Sequence, residues 1–291
     1  MAALKVKNLF KVYQNAKYIS ARNISFEVKE GELFGFLGVN GAGKSTTLKC
    51  ITGIIPFTAG KIEICGHDIR ENPFEAKMNF GFVPDNHAVY DKLTGSEYVS
   101  YVASIYKVPR EVFAPRFEEL VKKFNLENAI NNQIMSYSHG MKQKISIIGA
   151  LIHQPKLWIL DEPMVGLDPQ SILEVKNYMK EYAKKGNAVI FSSHNLDTVE
   201  KLCDRALIIH GGTVIALVDL GEYRKKGKSL EDEFMKLTKE SKEKIGKERA
   251  NLLAEEAELA KTHGKRRAGR MMQKRIQQEV AEVFASVEKV K

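Results

Sequence analysis

The chain is poor in the features that mark disulfide-stapled, secreted or membrane-spanning proteins. It has three cysteines in 291 residues, Cys50, Cys65 and Cys203. Their spacing offers neither a metal-ligand pattern nor a disulfide framework, so a reducing compartment fits and each thiol is expected to act as a small buried hydrophobe. No apolar run approaches the roughly 18 residues needed to cross a bilayer. The first residues hold no signal-peptide core. Any membrane role is therefore expected to be peripheral. What the chain does have is 44% apolar and 28% charged residues, ample for the core of one large domain, or of one domain with an appendage. Its formal net charge is +9. Two basic clusters, Arg224-Lys225-Lys226-Gly227-Lys228 and Lys265-Arg266-Arg267, lie late in the chain. Such clusters suit nucleic acid, anionic lipid or plain solvation.

One stretch organises the rest. Leu33-Phe34-Gly35-Phe36-Leu37 is a short apolar run, the pattern of a buried strand. The next residues, Gly38-Val39-Asn40-Gly41-Ala42-Gly43-Lys44-Ser45-Thr46, fit G-x-x-x-x-G-K-[ST] at every fixed position, and residues 46–51 read as the start of a helix. Glycines let backbone N–H groups close around phosphate oxygens, because no Cβ stands in the way. The helix N-terminus adds partial positive charge. In such a loop Lys44 reaches the β- and γ-phosphates and the Ser45 hydroxyl binds Mg²⁺.

Around this stretch the chain alternates. Residues 4–13, 24–28 and 60–66 read as half-exposed strands, which predicts a small antiparallel sheet beside a nucleotide-binding core. Phe80-Gly81-Phe82-Val83 is a further apolar run, closed by the turn Pro84-Asp85-Asn86. Thr94-Gly95-Ser96-Glu97 fits a capping box, and residues 86–150 read as mainly helical. Leu157-Trp158-Ile159-Leu160 runs into Asp161-Glu162, and Ala188-Val189-Ile190-Phe191 runs into Ser192-Ser193-His194. Carboxylates at the end of a buried strand are costly unless they sit at an open edge with something to bind. Strands alternating with helices predict a parallel sheet with its ligand at the strands' carboxyl ends. Residues 206–216 read as a terminal hairpin. From about residue 229 the composition turns to Lys, Glu, Ala and Arg, and helices are expected, interrupted near Gly264 and Gly269. Met272, Ile276, Val280, Val283, Val287 and Val290 approximate a heptad seam, to be covered by a second copy or by the chain's own body.

Taken together, residues 4–220 resemble the ATP-binding subunit of an ATP-binding-cassette (ABC) transporter, of the exporter kind that pairs with a separate membrane subunit. The resemblance implies an α/β P-loop cassette at 1–220, with a parallel-sheet core, an antiparallel β subdomain and a helical subdomain at about 86–150. Residues 221–291 follow as a C-terminal helical extension. It implies ATP and Mg²⁺ as ligands, with Asn40, Gly41, Ala42, Gly43, Lys44, Ser45 and Thr46 on the phosphates and Tyr13 against adenine. Residues 157–161 match Walker B, with Asp161 on Mg²⁺ beside Ser45. Glu162 matches the carboxylate that polarises the attacking water, and His194 the switch histidine at the γ-phosphate. Gly166-Leu167-Asp168 resembles the D-loop. Tyr137-Ser138-His139-Gly140-Met141-Lys142-Gln143 resembles the signature, so Ser138 and Gly140 are expected at the ATP of a partner subunit.

The chain departs from the family pattern twice. Asp85 stands where glutamine is usual; its carboxylate can still serve Mg²⁺ or a bound water but cannot donate a hydrogen bond as an amide can. His139 stands where glycine is usual. The resemblance further implies a homodimer closing on two ATP molecules, and a membrane subunit docked on the helical subdomain near Tyr90, Leu93, Tyr98 and Tyr101. It places the protein on the cytoplasmic face of the membrane; the charge of the basic tail, independently, suits anionic lipid as a further partner. The rival reading is a soluble ABC ATPase acting on nucleic acid or ribosomes. It is disfavoured because such relatives carry two cassettes or a long insertion, whereas only about 50 residues separate Asp85 from Ser138 here.

Overall fold

The computed structural model describes residues 1–14, 18–86, 89–227, 229–263 and 265–288. The chain opens with strands β1 (Ala2–Lys11), β2 (Ala21–Lys29) and β3 (Leu33–Leu37), then helix α1 (Lys44–Ile51). β4 (Ala59–Ile64), β5 (His67–Asp68), α2 (Pro73–Met78) and β6 (Phe80–Val83) follow. Three helices come next, α3 (Gly95–Ile105), α4 (Arg110–Lys123) and α5 (His139–Leu151). Then come β7 (Leu157–Leu160), α6 (Pro169–Lys184), β8 (Ala188–Ser193), α7 (Leu196–Leu202) and the hairpin of β9 (Arg205–His210) and β10 (Thr213–Asp219). Three helices end the chain, α8 (Leu220–Lys225), α9 (Leu230–His263) and α10 (Lys265–Glu288).

Two sheets result. One is antiparallel, in the order β2-β1-β4-β5. The other has the order β10-β9-β3-β8-β7-β6, parallel except for the β9–β10 hairpin. Every residue of β3, β7 and β8 is buried, which is why these strands read as unbroken apolar runs: in a parallel sheet covered on both faces no position alternates to water. The pairings Leu37↔Ser193 and Leu160↔Phe191 align three strand ends. They bring Gly38, Asp161 and His194, each just beyond its strand, to one edge.

Aromatic side chains join the layers. Phe26 of β2 stacks on Phe34 and Phe36 of β3, tying the two sheets together. Trp158, the chain's single tryptophan, is fully buried on β7 and meets Tyr178 and Tyr182 of α6 edge-on, with ring centroids 6.0 and 5.7 Å away. Such edge-to-face pairs add about 0.5–1.5 kcal/mol beyond area burial. α3 starts at the expected capping box: Thr94 Oγ1 accepts from Glu97 N at 3.2 Å and Glu97 Oε2 accepts from Thr94 N at 2.8 Å.

Several expectations need correction. Tyr98 is not a surface residue but is 8% exposed, its ring against Gly149 of α5, so of the aromatic group Tyr90 and Tyr101 alone are well exposed. α10 runs through Gly269 without a break; the cost of about 1 kcal/mol for a helical glycine is outweighed by the helix around it. Gly264 lies outside the described residues. Of the seam, Ile276 and Val280 pack with Phe10 and Ile19 of the chain itself, and Met272 is half-buried. The side chains of Val283 and Val287, and Val290 altogether, lie outside the described residues. Three members of the first basic cluster have partners within the chain, those of the two lysines at the surface, and Lys228 lies outside the described residues. Arg224 Nη1 donates to the Glu200 and Cys203 carbonyl oxygens, and Lys225 and Lys226 pair with Glu222. In the second, Arg267 is exposed, while the side chains of Lys265 and Arg266 lie outside the described residues.

His153 supplies a pH dependence. It stacks on Tyr106, with ring centroids 3.6 Å apart, and its Nε2 lies 3.1 Å from the Phe80 carbonyl oxygen. Facing a carbonyl, Nε2 carries the proton in the neutral ring. Burial pulls the pKa down to about 4, against the opposing bond to Phe80. In the unfolded chain the ring titrates near 6.5. Between these values the unfolded state binds a proton that the folded state refuses. The contribution to stability is therefore complete above about pH 6.5 and lost as pH falls to about 4. Thermal melts across this window should show a fall in Tm that is shallower in His153→Gln; identical slopes would place the acid sensitivity elsewhere.

Candidate functional site

The site grows from the edge where the strands end. Gly43 precedes α1 with φ 105°, a left-handed conformation, and a Cβ there would lie 2.6 Å from the Ser20 carbonyl oxygen. Only glycine lets the loop pass this close while turning into the helix. Asn40, Gly41, Gly43, Lys44, Ser45 and Thr46 then line a cleft of about 490 Å³, together with Asp85 and Glu162. Ala42 is buried behind it, its carbonyl oxygen accepting from Gly212 N at 2.8 Å.

Lys44 is 5% exposed. Its Nζ donates to the Gly38 carbonyl oxygen at 2.7 Å and lies 3.1 Å from Glu162 Oε1. Glu162 is the third member of this group: its Oε2 is 3.0 Å from His194 Nδ1. Its backbone takes a left-handed φ of 49°, uncommon for a residue with a Cβ and frequent where geometry serves a site. Its N–H donates to Ser192 Oγ at 2.8 Å, and that hydroxyl in turn donates to Asp161 Oδ1 at 2.6 Å. The relay locks the end of β7 to the end of β8, one serine holding both the Glu162 backbone and the Asp161 carboxylate.

Asp161 is fully buried. Burial pushes its carboxyl above the usual range, opposed by the Ser192 and Ser45 hydroxyls, while Asp85 and Glu162 push it further up. Its Oδ2 has no hydrogen-bond partner among the described residues. A buried carboxylate oxygen without a donor, beside a hydroxyl, is a hard oxygen set of the kind that suits Mg²⁺. Asp85 lines the same cleft. Its Oδ1 accepts from Asn86 N at 3.0 Å and lies 4.0 Å from Lys49 Nζ.

Two expected groups stand apart from this cleft. Tyr13 does not line it. Its hydroxyl lies 3.5 Å from Thr46 Oγ1, and Lys11 Nζ sits 4.7 Å from its ring centroid. Tyr18 is the aromatic on the cleft wall, and sequence reasoning passed over it because no strand or motif frames it. Gly211 and Gly212 also line the cleft, although the sequence marks them only as a hairpin turn. Ser138 and Gly140 lie at the start of α5, where Ser138 Oγ accepts from Met141 N at 3.3 Å as the helix cap. The His139 ring packs on Gly166, and its Nε2 is 3.3 Å from the Val165 carbonyl oxygen. The segment after Glu162 is thereby held to α5, aided by Gln143 Nε2 donating to the Pro163 carbonyl oxygen at 3.1 Å.

Comparison with known proteins agrees with this arrangement. The family model described as ABC transporter matches residues 21–165. The ABC-type transporter ATP-binding protein EcsA of Bacillus subtilis is 36% identical over 82% of this chain and 98% of its own. The linearmycin resistance ATP-binding protein LnrL of the same organism is 39% identical over 74% of this chain and 68% of its own. A solved ATP-binding subunit of an ABC transporter superposes with a TM-score of 0.76 at 34% identity, covering 81% of this chain and 99% of that one.

Proposed function

The chain belongs to the ABC transporter family as an ATP-binding subunit, and from that premise we propose that it hydrolyses ATP to drive export through a separate membrane subunit. The observation that carries this reading is Glu162, held between Lys44 at 3.1 Å and His194 at 3.0 Å. A carboxylate between a phosphate-binding cation and an imidazole is placed to take a proton from water attacking a phosphoryl group. The α1 N-terminus and the loop N–H groups bind the phosphates, and Lys44 supplies the point charge. Asp161 and Ser45 hold Mg²⁺, with Asp85 beside them; when bound, the ion neutralises charge on the phosphates. His194 orients Glu162 and meets the γ-phosphate. Tyr18 on the cleft wall, with Tyr13 next to Thr46, borders the side offered to adenine.

Ser138 and Gly140 do not line their own chain's cleft, which fits a role at the ATP of a second copy, two nucleotides being closed between two subunits. The resistance function in the name of LnrL supports export over import. Among the described residues no helix is long and apolar enough to cross a membrane, and the membrane path is assigned to a separate partner, as for other ATP-binding subunits of this family. Tyr90 and Tyr101, edge to face at 5.7 Å and 56% and 47% exposed, form the apolar patch offered to that partner.

The test is recovery of the complex. From mild detergent the parent protein should co-purify with an integral membrane protein. Tyr90→Asp combined with Tyr101→Asp should cut that recovery while leaving ATP affinity unchanged. Failure of the parent to retain any integral membrane protein would overturn the reading, and equal recovery in the variant would move the contact elsewhere.

A further inference from the structure

The two long C-terminal helices lie against the backbone that walls the nucleotide cleft. Ile245 of α9 packs on the β9–β10 turn so closely that a Cβ on Gly211 would lie 2.5 Å from its Cδ1. Next to it, Ser241 Oγ is 2.9 Å from His210 Nδ1. The same turn reaches the phosphate loop, with Gly212 N donating to the Ala42 carbonyl oxygen at 2.8 Å, and reaches β2, with Arg22 N donating to the Gly212 carbonyl oxygen at 2.7 Å. One glycine pair thus separates α9 from the loop expected on the phosphates.

α10 meets the neighbouring wall. Ile276 and Val280, each 5% exposed, pack on Phe10 and Ile19. Ile19 itself lines the cleft beside Tyr18. Glu279 pairs with Arg22 at 3.3 Å. The end of β1 and the residues after it, including Tyr13, border a groove of about 360 Å³ whose far side is α10. The segments before and after Tyr13 are therefore supported from behind by this helix rather than by the cassette alone.

We infer that the α9–α10 hairpin is a positioning element for the adenine side of the nucleotide site: it sets ATP affinity by holding residues 10–14, residues 18–22 and the Gly211-Gly212 turn in place. It touches no reacting atom. The inference rests on the reading of this cleft as the ATP site, and the coupling runs through packed contacts present on both helices.

Full-length protein carrying Ile276→Ala, or Glu279→Arg, should be compared with the parent in calorimetric binding of ATP and of inorganic tripolyphosphate, which has the phosphate chain but no base. ATP affinity should fall by about three- to thirtyfold, the range for residues that act through packed contacts. Tripolyphosphate affinity should stay within twofold. Adding Arg22→Glu to Glu279→Arg should restore ATP affinity, which loss of fold could not explain. Unchanged ATP affinity in both variants would overturn the inference, as would equal losses for the two ligands. Failure of the parent to bind ATP would instead remove the assignment of the cleft.

Discussion

Glu162→Gln is expected to leave ATP binding intact and to lower ATP turnover by roughly 10²–10⁴-fold, the range for loss of a general base. The amide keeps the size and one acceptor oxygen, so Ser192 still receives the backbone N–H and the β7 end stays in place. What disappears is the charge that faces both Lys44 and His194. Lys44, a cation, cannot replace it as a proton acceptor beside the cleft. Lys44 retains its bond to the Gly38 carbonyl oxygen, so the phosphate-binding cation remains where it was. Turnover of purified complex together with nucleotide affinity checks this. A rate near the parent's would remove Glu162 from the chemical step, and lost binding would make it a structural member of the cleft.

Lys44→Ala is expected to weaken ATP binding by at least about a hundredfold, corresponding to about 3 kcal/mol. Hydrogen bonds to a charged group contribute about 1.5–3 kcal/mol each, and Lys44 is expected to make more than one to the phosphates. The ammonium is 5% exposed and already oriented by the Gly38 carbonyl oxygen, so little side-chain entropy is lost when phosphate arrives. The variant also leaves Glu162, whose side chain is 17% exposed, without its cation. A companion Lys44→Arg variant separates charge from shape: guanidinium keeps the charge but is too broad for the space beside Gly38, and should recover only part of the affinity. Calorimetry decides it; parental affinity in Lys44→Ala would exclude Lys44 from phosphate binding.

The parts that the sequence discloses are those where chemistry dictates contiguous residues. Phosphate binding needs a run of backbone donors, so residues 38–46 appear as one block. A carboxylate at the end of a buried strand announces an open edge, and Asp161-Glu162 and Ser192-Ser193-His194 both do so. The fold class follows from fully apolar strands between helices. What stays hidden depends on contacts between distant segments. The Ser192 hydroxyl shared by Glu162 and Asp161 comes from the pairing Leu160↔Phe191, which no local pattern specifies. Tyr98 sits at a helical spacing equally suited to surface or core, and Gly149, with no side chain of its own, makes the room that buries it. The C-terminal seam shows that it must be covered but not by what. Phe10 and Ile19, which cover Ile276 and Val280, lie more than 250 residues earlier in the chain.

The burial of Trp158 gives the protein an optical reporter of its own. The only indole in the chain sits on the strand that delivers Asp161 and Glu162, three residues before the first of them. With no solvent exposure, it should emit at short wavelength while that strand is packed and shift to the red only when the sheet opens. The ten tyrosines include Tyr178 and Tyr182 within 6.0 Å of it, close enough to pass excitation to it. Fluorescence excited at the indole band therefore reads the integrity of this strand edge without a label.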